Sequence, residues 1–180
     1  MPAHYTRTAI TLHWAVALLI FATFPLGLYM ADLPLSPLKL RLFSYHKWIG
    51  VSIFLLAVMR VAWRATHRPP PLIDSMPRWE KLAAEAVHYL LYLLIFIIPL
   101  SGWLMSSAKG VQTVYFGVLP LPDLLPKNKE LAEALTEVHE SLNFFMAGLV
   151  VLHVAGALKH HFIERDDTLT RMLPFLRKTV

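Results

Sequence analysis

Histidine is the only residue type in this chain whose number and spacing point to chemistry. The 180 residues hold nine histidines and no cysteine, which excludes disulfides, thiolate metal sites, iron–sulfur clusters and covalent C-x-x-C-H attachment of a prosthetic group. In "VVLHVAGALKHHFIERDD", Val150 to Asp167, His153 sits within an apolar run, where an imidazole is costly unless it is bound or paired. His139 lies fourteen residues earlier. On a helix that spacing falls ~40° short of four turns and covers ~21 Å, so the two rings share one face at two depths.

Each depth has a counterpart on another apolar segment. His46 opens one segment at the level of His139, and His13 opens another at the level of His153. His88 starts a third segment at about the depth of His13 and is an alternative partner for His153 on depth alone. Paired neutral imidazoles without a carboxylate or thiolate suit haem iron, with one histidine above and one below the ring. Zinc ordinarily takes four ligands. A polar bridge between helices accounts for one buried histidine less awkwardly than for four at matched depths. Arg60 and Arg64 follow His46 by fourteen and eighteen residues, so they share its face near the His13–His153 level, where haem propionates need cations. Anchoring at the membrane surface is their other reading. Gly27 follows His13 by fourteen residues and lies on the same face at the His46 level, where a residue without a side chain would let a porphyrin approach the backbone closely.

The segments that carry these residues are apolar. The chain is 56% hydrophobic and 16% charged, a balance that points to a membrane protein. Thr8 to Ala31, Ala86 to Ala108 and Ser141 to Leu158 contain no Asp, Glu, Lys or Arg. Tyr45 to Arg64 is apolar through its middle, with cations near its ends. A span of the ~30 Å hydrocarbon layer needs ~20 residues. The expectation is an all-α integral membrane protein: one domain, 1–180, forming a four-helix transmembrane bundle with spans near 9–30, 44–66, 82–108 and 133–162. "HRPPPLIDSMP" (His67 to Pro77) and "LPLPDLLPKNKE" (Leu119 to Glu130) read as rigid connectors. His4 and His67 fall outside the spans as interfacial residues. The first apolar stretch is too long for a cleavable signal and reads as the first span.

Eleven of the 17 Lys and Arg residues fall on the side of the termini and the 67–77 connector, against six opposite, which predicts cytoplasmic termini. The formal +5 charge follows from this fringe of cations, so nucleic acid is not expected as a partner. Lys39, Arg41 and Lys47 on the other side form a solvated loop surface or a weakly basic patch for an anionic donor or partner. The chain contains neither a P-loop nor a dinucleotide fingerprint.

The stretches "TLHWAVALLIFATFPLGLYM", "HKWIGVSIFLLAVMRVAWR", "HYLLYLLIFIIPLSGWLMSS" and "VHESLNFFMAGLVVLHVAGALKHHFIERDDTLTRMLP" together resemble the bacterial four-helix cytochrome b561 family, from about Tyr5 to Pro174. The resemblance implies a b-type cytochrome of the bacterial inner membrane with two non-covalent haem b groups, exchanging electrons with ubiquinone or menaquinone. It implies axial pairs His13–His153 and His46–His139, favouring His13 over His88. It covers quinone reduction by a small donor such as superoxide, exchange with a periplasmic redox partner, and service as the membrane anchor of a larger redox complex. A histidine-based metal transporter is the remaining alternative outside the family, weakened by the lack of an intramembrane acid. His160 follows His153 by seven residues, ~20° off its face and ~10 Å nearer the cytoplasm. With Lys159 it marks the expected quinone site, and Glu164 and Asp166 would link that site to water. His161 reads as facing lipid headgroups.

Overall fold

The computed structural model describes residues 4–73 and 76–176. Arg177 and Lys178, which contribute to the charge asymmetry, and Asp74 and Ser75 of the first connector lie outside the described residues. Four helices dominate: α1 (Arg7–Asp32), α2 (Pro37–Thr66), α3 (Arg78–Ala108) and α4 (Lys129–Lys159). A π-helical turn, His160–Glu164, continues α4, and a 3-10 turn spans Pro174–Leu176. Between α3 and α4 a two-stranded antiparallel hairpin pairs β1 (Val114–Tyr115) with β2 (Leu119–Pro120).

Each helix begins where the local chemistry allows. The Thr6 hydroxyl accepts from the Ala9 N–H at 3.2 Å, and the Asn128 side chain accepts from Leu131 N–H at 3.0 Å, satisfying amides that have no partner within the helix. Ser36 caps α2 by accepting from Lys39 N–H, with Pro37 at the first helical position, where its fixed φ costs nothing. That cap starts α2 seven residues before the expected span boundary. The second connector holds β2 and the start of α4 rather than a simple turn, and β1 precedes it.

All four helices are long and apolar enough to cross a membrane. Their outer faces carry exposed Leu18, Phe21, Leu55, Met59 and Val151, the surface a hydrocarbon solvent accepts. Inward, Val16, Ile53, Leu94, Ile98, Met146 and Leu149 form one buried cluster. The helices pack in chain order, α1 on α2, α2 on α3 and α3 on α4. Among the described residues α1 and α4 form no comparably packed pair; histidine side chains face one another there instead. The end that carries Arg7, the 67–77 connector and the C-terminal segment is termed basal, and the opposite end distal.

Candidate metal centre

At the distal level, His46 of α2 faces His139 of α4 with ring centroids 6.2 Å apart and planes at 75°. The neighbouring helices hold both rings. His139 Nδ1 donates to the Ile98 carbonyl (3.1 Å) and lies 3.0 Å from Ser101 Oγ, while Ser101 Oγ itself donates to Ile98 O. A carbonyl only accepts, so the ring proton resides on Nδ1 and Nε2 keeps its lone pair. His46 Nδ1 lies 3.1 Å from Thr23 Oγ1; a hydroxyl that accepts from this nitrogen leaves Nε2 its lone pair likewise. Fixing Nδ1 in this way is how proteins orient a metal-binding imidazole.

Two glycines complete the distal level. A Cβ added at Gly27 would stand 3.1 Å from His46 Cε1, and one at Gly102 would stand 3.0 Å from His139 Cε1. Gly27 therefore clears an imidazole ring, where the spacing alone suggested clearance for a macrocycle. Both positions require the missing side chain because a ring already fills the space.

At the basal level, His13 of α1 faces His153 of α4 with centroids 6.1 Å apart. His13 Nδ1 is buried without a hydrogen-bond partner, an unmet polar atom that the folded chain leaves at this site. His88 of α3 approaches His153 edge-on, with centroids 5.2 Å apart. Metal–imidazole nitrogen bonds of about 2 Å place two opposed rings with centroids just over ~6 Å apart. The His13–His153 and His46–His139 separations meet that requirement, whereas His88, at 5.2 Å, stands too close to His153 for the two rings to take opposite sides of one iron.

His88 stands beside the basal pair, yet among the described residues neither level gathers three ligand atoms around one point. Among the described residues, the cluster of three metal-ligating side chains is Glu80, His160 and Glu164, beyond the basal pair. Two facing imidazoles at each of two levels therefore fit haem iron better than a four-ligand zinc site.

Arg60 lies within electrostatic range of His13, His88 and His153. Its guanidinium sits 5.0 Å from the centre of the Tyr92 ring, and that of Arg64 5.5 Å from it, so one aromatic ring on α3 steers both cations. His160 is buried, and its Nδ1 meets Asp166 Oδ2 at 2.6 Å and Glu164 Oε2 at 2.7 Å. Lys159 bridges Glu80 (2.5 Å) and Glu164 (2.7 Å). Asp166 lies past the last span; burial pushes its carboxyl up, but hydrogen bonds from Thr168 and the His160 contact outweigh that and hold it below the usual value. Lys39 Nζ caps the carbonyls of Ala31 and Leu33, and Lys47 Nζ that of Val111, so both bind loop backbone at the distal end.

Sequence reasoning missed Thr23, Ser101, Gly102 and Tyr92. A partial signal existed: Thr23 and Ser101 are lone hydroxyls deep inside apolar helices, where an unpaired hydroxyl is costly. Their partners lie on other helices, so no spacing within one helix reveals them.

The profile of the family described as prokaryotic cytochrome b561 matches residues 4–175. Cytochrome b561 homolog 2 of Escherichia coli K12 is 37% identical, over 96% of this chain and 92% of that protein. Cytochrome b561 homolog 1 of the same organism is 27% identical, over 94% and 97%. A probable superoxide oxidase of Yersinia pestis is 27% identical, over 97% and 98%.

Proposed function

The chain belongs to the prokaryotic cytochrome b561 family, and on that premise we propose that it relays electrons across the bacterial inner membrane through two haem b groups. His13 with His153 and His46 with His139 would hold them. Each haem would supply one-electron redox chemistry at an iron held by two imidazoles, which suits transfer rather than oxygen activation. The observation that carries the reading is the pair of ring separations, 6.1 and 6.2 Å, at two levels of one bundle.

The chain's own residues do the rest. Thr23, Ile98 and Ser101 occupy Nδ1 of the distal rings, which leaves Nε2 as the nitrogen that would meet the iron. Arg60 and Arg64 supply cations for the propionates of the basal haem. The basal end is cytoplasmic, as the excess of Lys and Arg on that side supports. There His160, with Lys159 beside it, faces the quinone; Asp166 and Glu164 hold its Nδ1, so that a proton taken or given at Nε2 is matched by a carboxylate at the other nitrogen. At the distal, periplasmic end a small one-electron donor gives up its electron. Superoxide is one such donor, a choice that the printed name of the Yersinia pestis relative supports.

The test is the purified membrane protein itself. A reduced b-type spectrum with two haems per chain is expected, and His160→Ala should keep both while slowing exchange with a soluble quinone analogue at least ~10-fold. A colourless protein that binds zinc would replace this reading with a metal-transport one. Unchanged quinone kinetics in His160→Ala would move the quinone site elsewhere.

A further inference from the structure

The chain between α3 and α4 is an unusual connector for a membrane protein. From Gly110 to Pro122 it contains no Asp, Glu, Lys or Arg, although Lys109 and Asp123 bound it on either side. Its apolar side chains point away from the protein: Val118 is 82% exposed, Phe116 59% and Leu119 57%. The turn places Phe116 at φ 50° ahead of Gly117 at φ 73°. Gly or Asn ordinarily fills the first of those positions, because a large side chain is disfavoured there.

The hairpin's position follows from what it touches. α3 ends at Ala108, seven residues or ~10 Å distal of Ser101, which contacts His139. From there the hairpin folds back along α2. Trp48 Nε1 donates to the Val114 carbonyl at 2.7 Å, and Tyr115 Oη lies 2.9 Å from Ser52 Oγ. Trp48 and Ser52 are two and six residues past His46, ~3 and ~9 Å farther into the bundle. The hairpin thus reaches back to the level of the distal histidine pair. On α4 that level is marked by Glu140, next to His139 and the last charged side chain before the uncharged run Ser141 to Leu158. A change from charged to uncharged sequence on a spanning helix is where headgroups give way to acyl chains.

We propose that the hairpin, residues 111–122, is a wedge inserted into the distal lipid interface, with Phe116 and Val118 at the boundary between headgroups and acyl chains. Lipid is the occupant that these surroundings select. The exposed apolar face continues the lipid-facing side of α2, and Tyr45, Trp48, Tyr115 and Phe116 form one aromatic cluster of the kind that sits at membrane interfaces. The backbone is prepared for poor solvation. Lys47 Nζ and Ser106 Oγ donate to Val111 O, Gln112 Nε2 to Leu121 O, and Trp103 Nε1 to Pro122 O. Leu121 N–H donates to Thr113 O at 2.8 Å. Non-helical backbone at membrane depth requires such internal partners.

The absence of native cysteine permits a direct test. Val118→Cys and Phe116→Cys would each be labelled with an environment-sensitive fluorophore, and the holoprotein reconstituted into phosphatidylethanolamine–phosphatidylglycerol vesicles. Lys129→Cys, at the exposed start of α4, serves as the aqueous control, and retained haem content reports folding. A nitroxide near the top of the acyl chain should quench the hairpin labels roughly threefold more than it quenches the control, with iodide showing the reverse order. Iodide quenching equal to the control would overturn the proposal. So would labels shielded from both quenchers, which would assign this face to a second copy of the chain or to another protein.

Discussion

At the scale of single residues, the two histidine levels should fail independently. His46→Ala or His139→Ala is expected to remove one haem and leave the other, and His13→Ala or His153→Ala to do the converse, measured as haem per chain and by redox titration. His88→Ala should retain both, since its ring, 5.2 Å from that of His153, is too close to stand across one iron from it. Loss of a haem in His88→Ala with both kept in His13→Ala would reverse the basal assignment. Gly102→Val drives a side chain into the His139 ring. Overpacking of this kind costs about 1–3 kcal/mol, so the distal haem alone should show reduced occupancy and an altered axial spectrum. Arg60→Leu removes a cation close to His13 and His153. Because a nearby cation favours the more negative reduced state, one midpoint should fall while the other holds.

At the scale of elements, the end of α4 is the clearest case of tertiary chemistry rewriting a helix. The helix relaxes into a π turn at His160–Glu164 and stops at Arg165 in the left-handed region, φ 56°. Glu164 and Asp166 are thereby brought onto the same His160 nitrogen. Beyond it, Trp14 Nε1 donates to Met172 O and Arg171 Nη1 to Pro71 O, so the C-terminal segment is laid across the basal end. Asp166 has its carboxyl held below the usual value despite burial. A depressed folded pKa contributes stability that is present above the ordinary carboxylate range and lost as pH falls through the lowered value. The protection of the Thr168 amide against exchange, relative to its intrinsic rate at each pH, should therefore stay high above about pH 4 and fall below it. In Asp166→Asn the protection should be low and independent of pH across that window; high, unchanged protection would remove Asp166 from the cap.

At the scale of the whole molecule, the bundle is an up-down assembly in which three neighbouring contacts are packed and the fourth, α1 against α4, is bridged by side chains that face one another. The buried cluster around Ile53, Leu94 and Met146 lies between the two histidine levels. The proposed orientation predicts that a reporter fused after Leu176 is active on the cytoplasmic side only. It also predicts that a label at Lys129→Cys is reached by a membrane-impermeant thiol reagent from the periplasm. The opposite pattern in both would invert the electron path.

The amino-acid sequence by itself determined the solvent, the number of helices and the depths of the histidines. Those follow from hydropathy and from a fixed rise per residue, and both are properties of a single segment. Fourteen residues between His139 and His153 fix two levels before any fold is known. Family likeness was legible for the same reason, in stretches that run along the chain. What only the tertiary structure decided is everything that depends on the distance between helices. It set the rings of His13 and His88 at 6.1 and 5.2 Å from that of His153, turned Gly27 towards an imidazole, and supplied Thr23 and Ser101 as partners for Nδ1. It also folded an uncharged loop back into a hairpin against Trp48. Depth along a helix is written in residue number; which side chains meet at that depth depends on how each helix is rotated and packed, and no single segment encodes that.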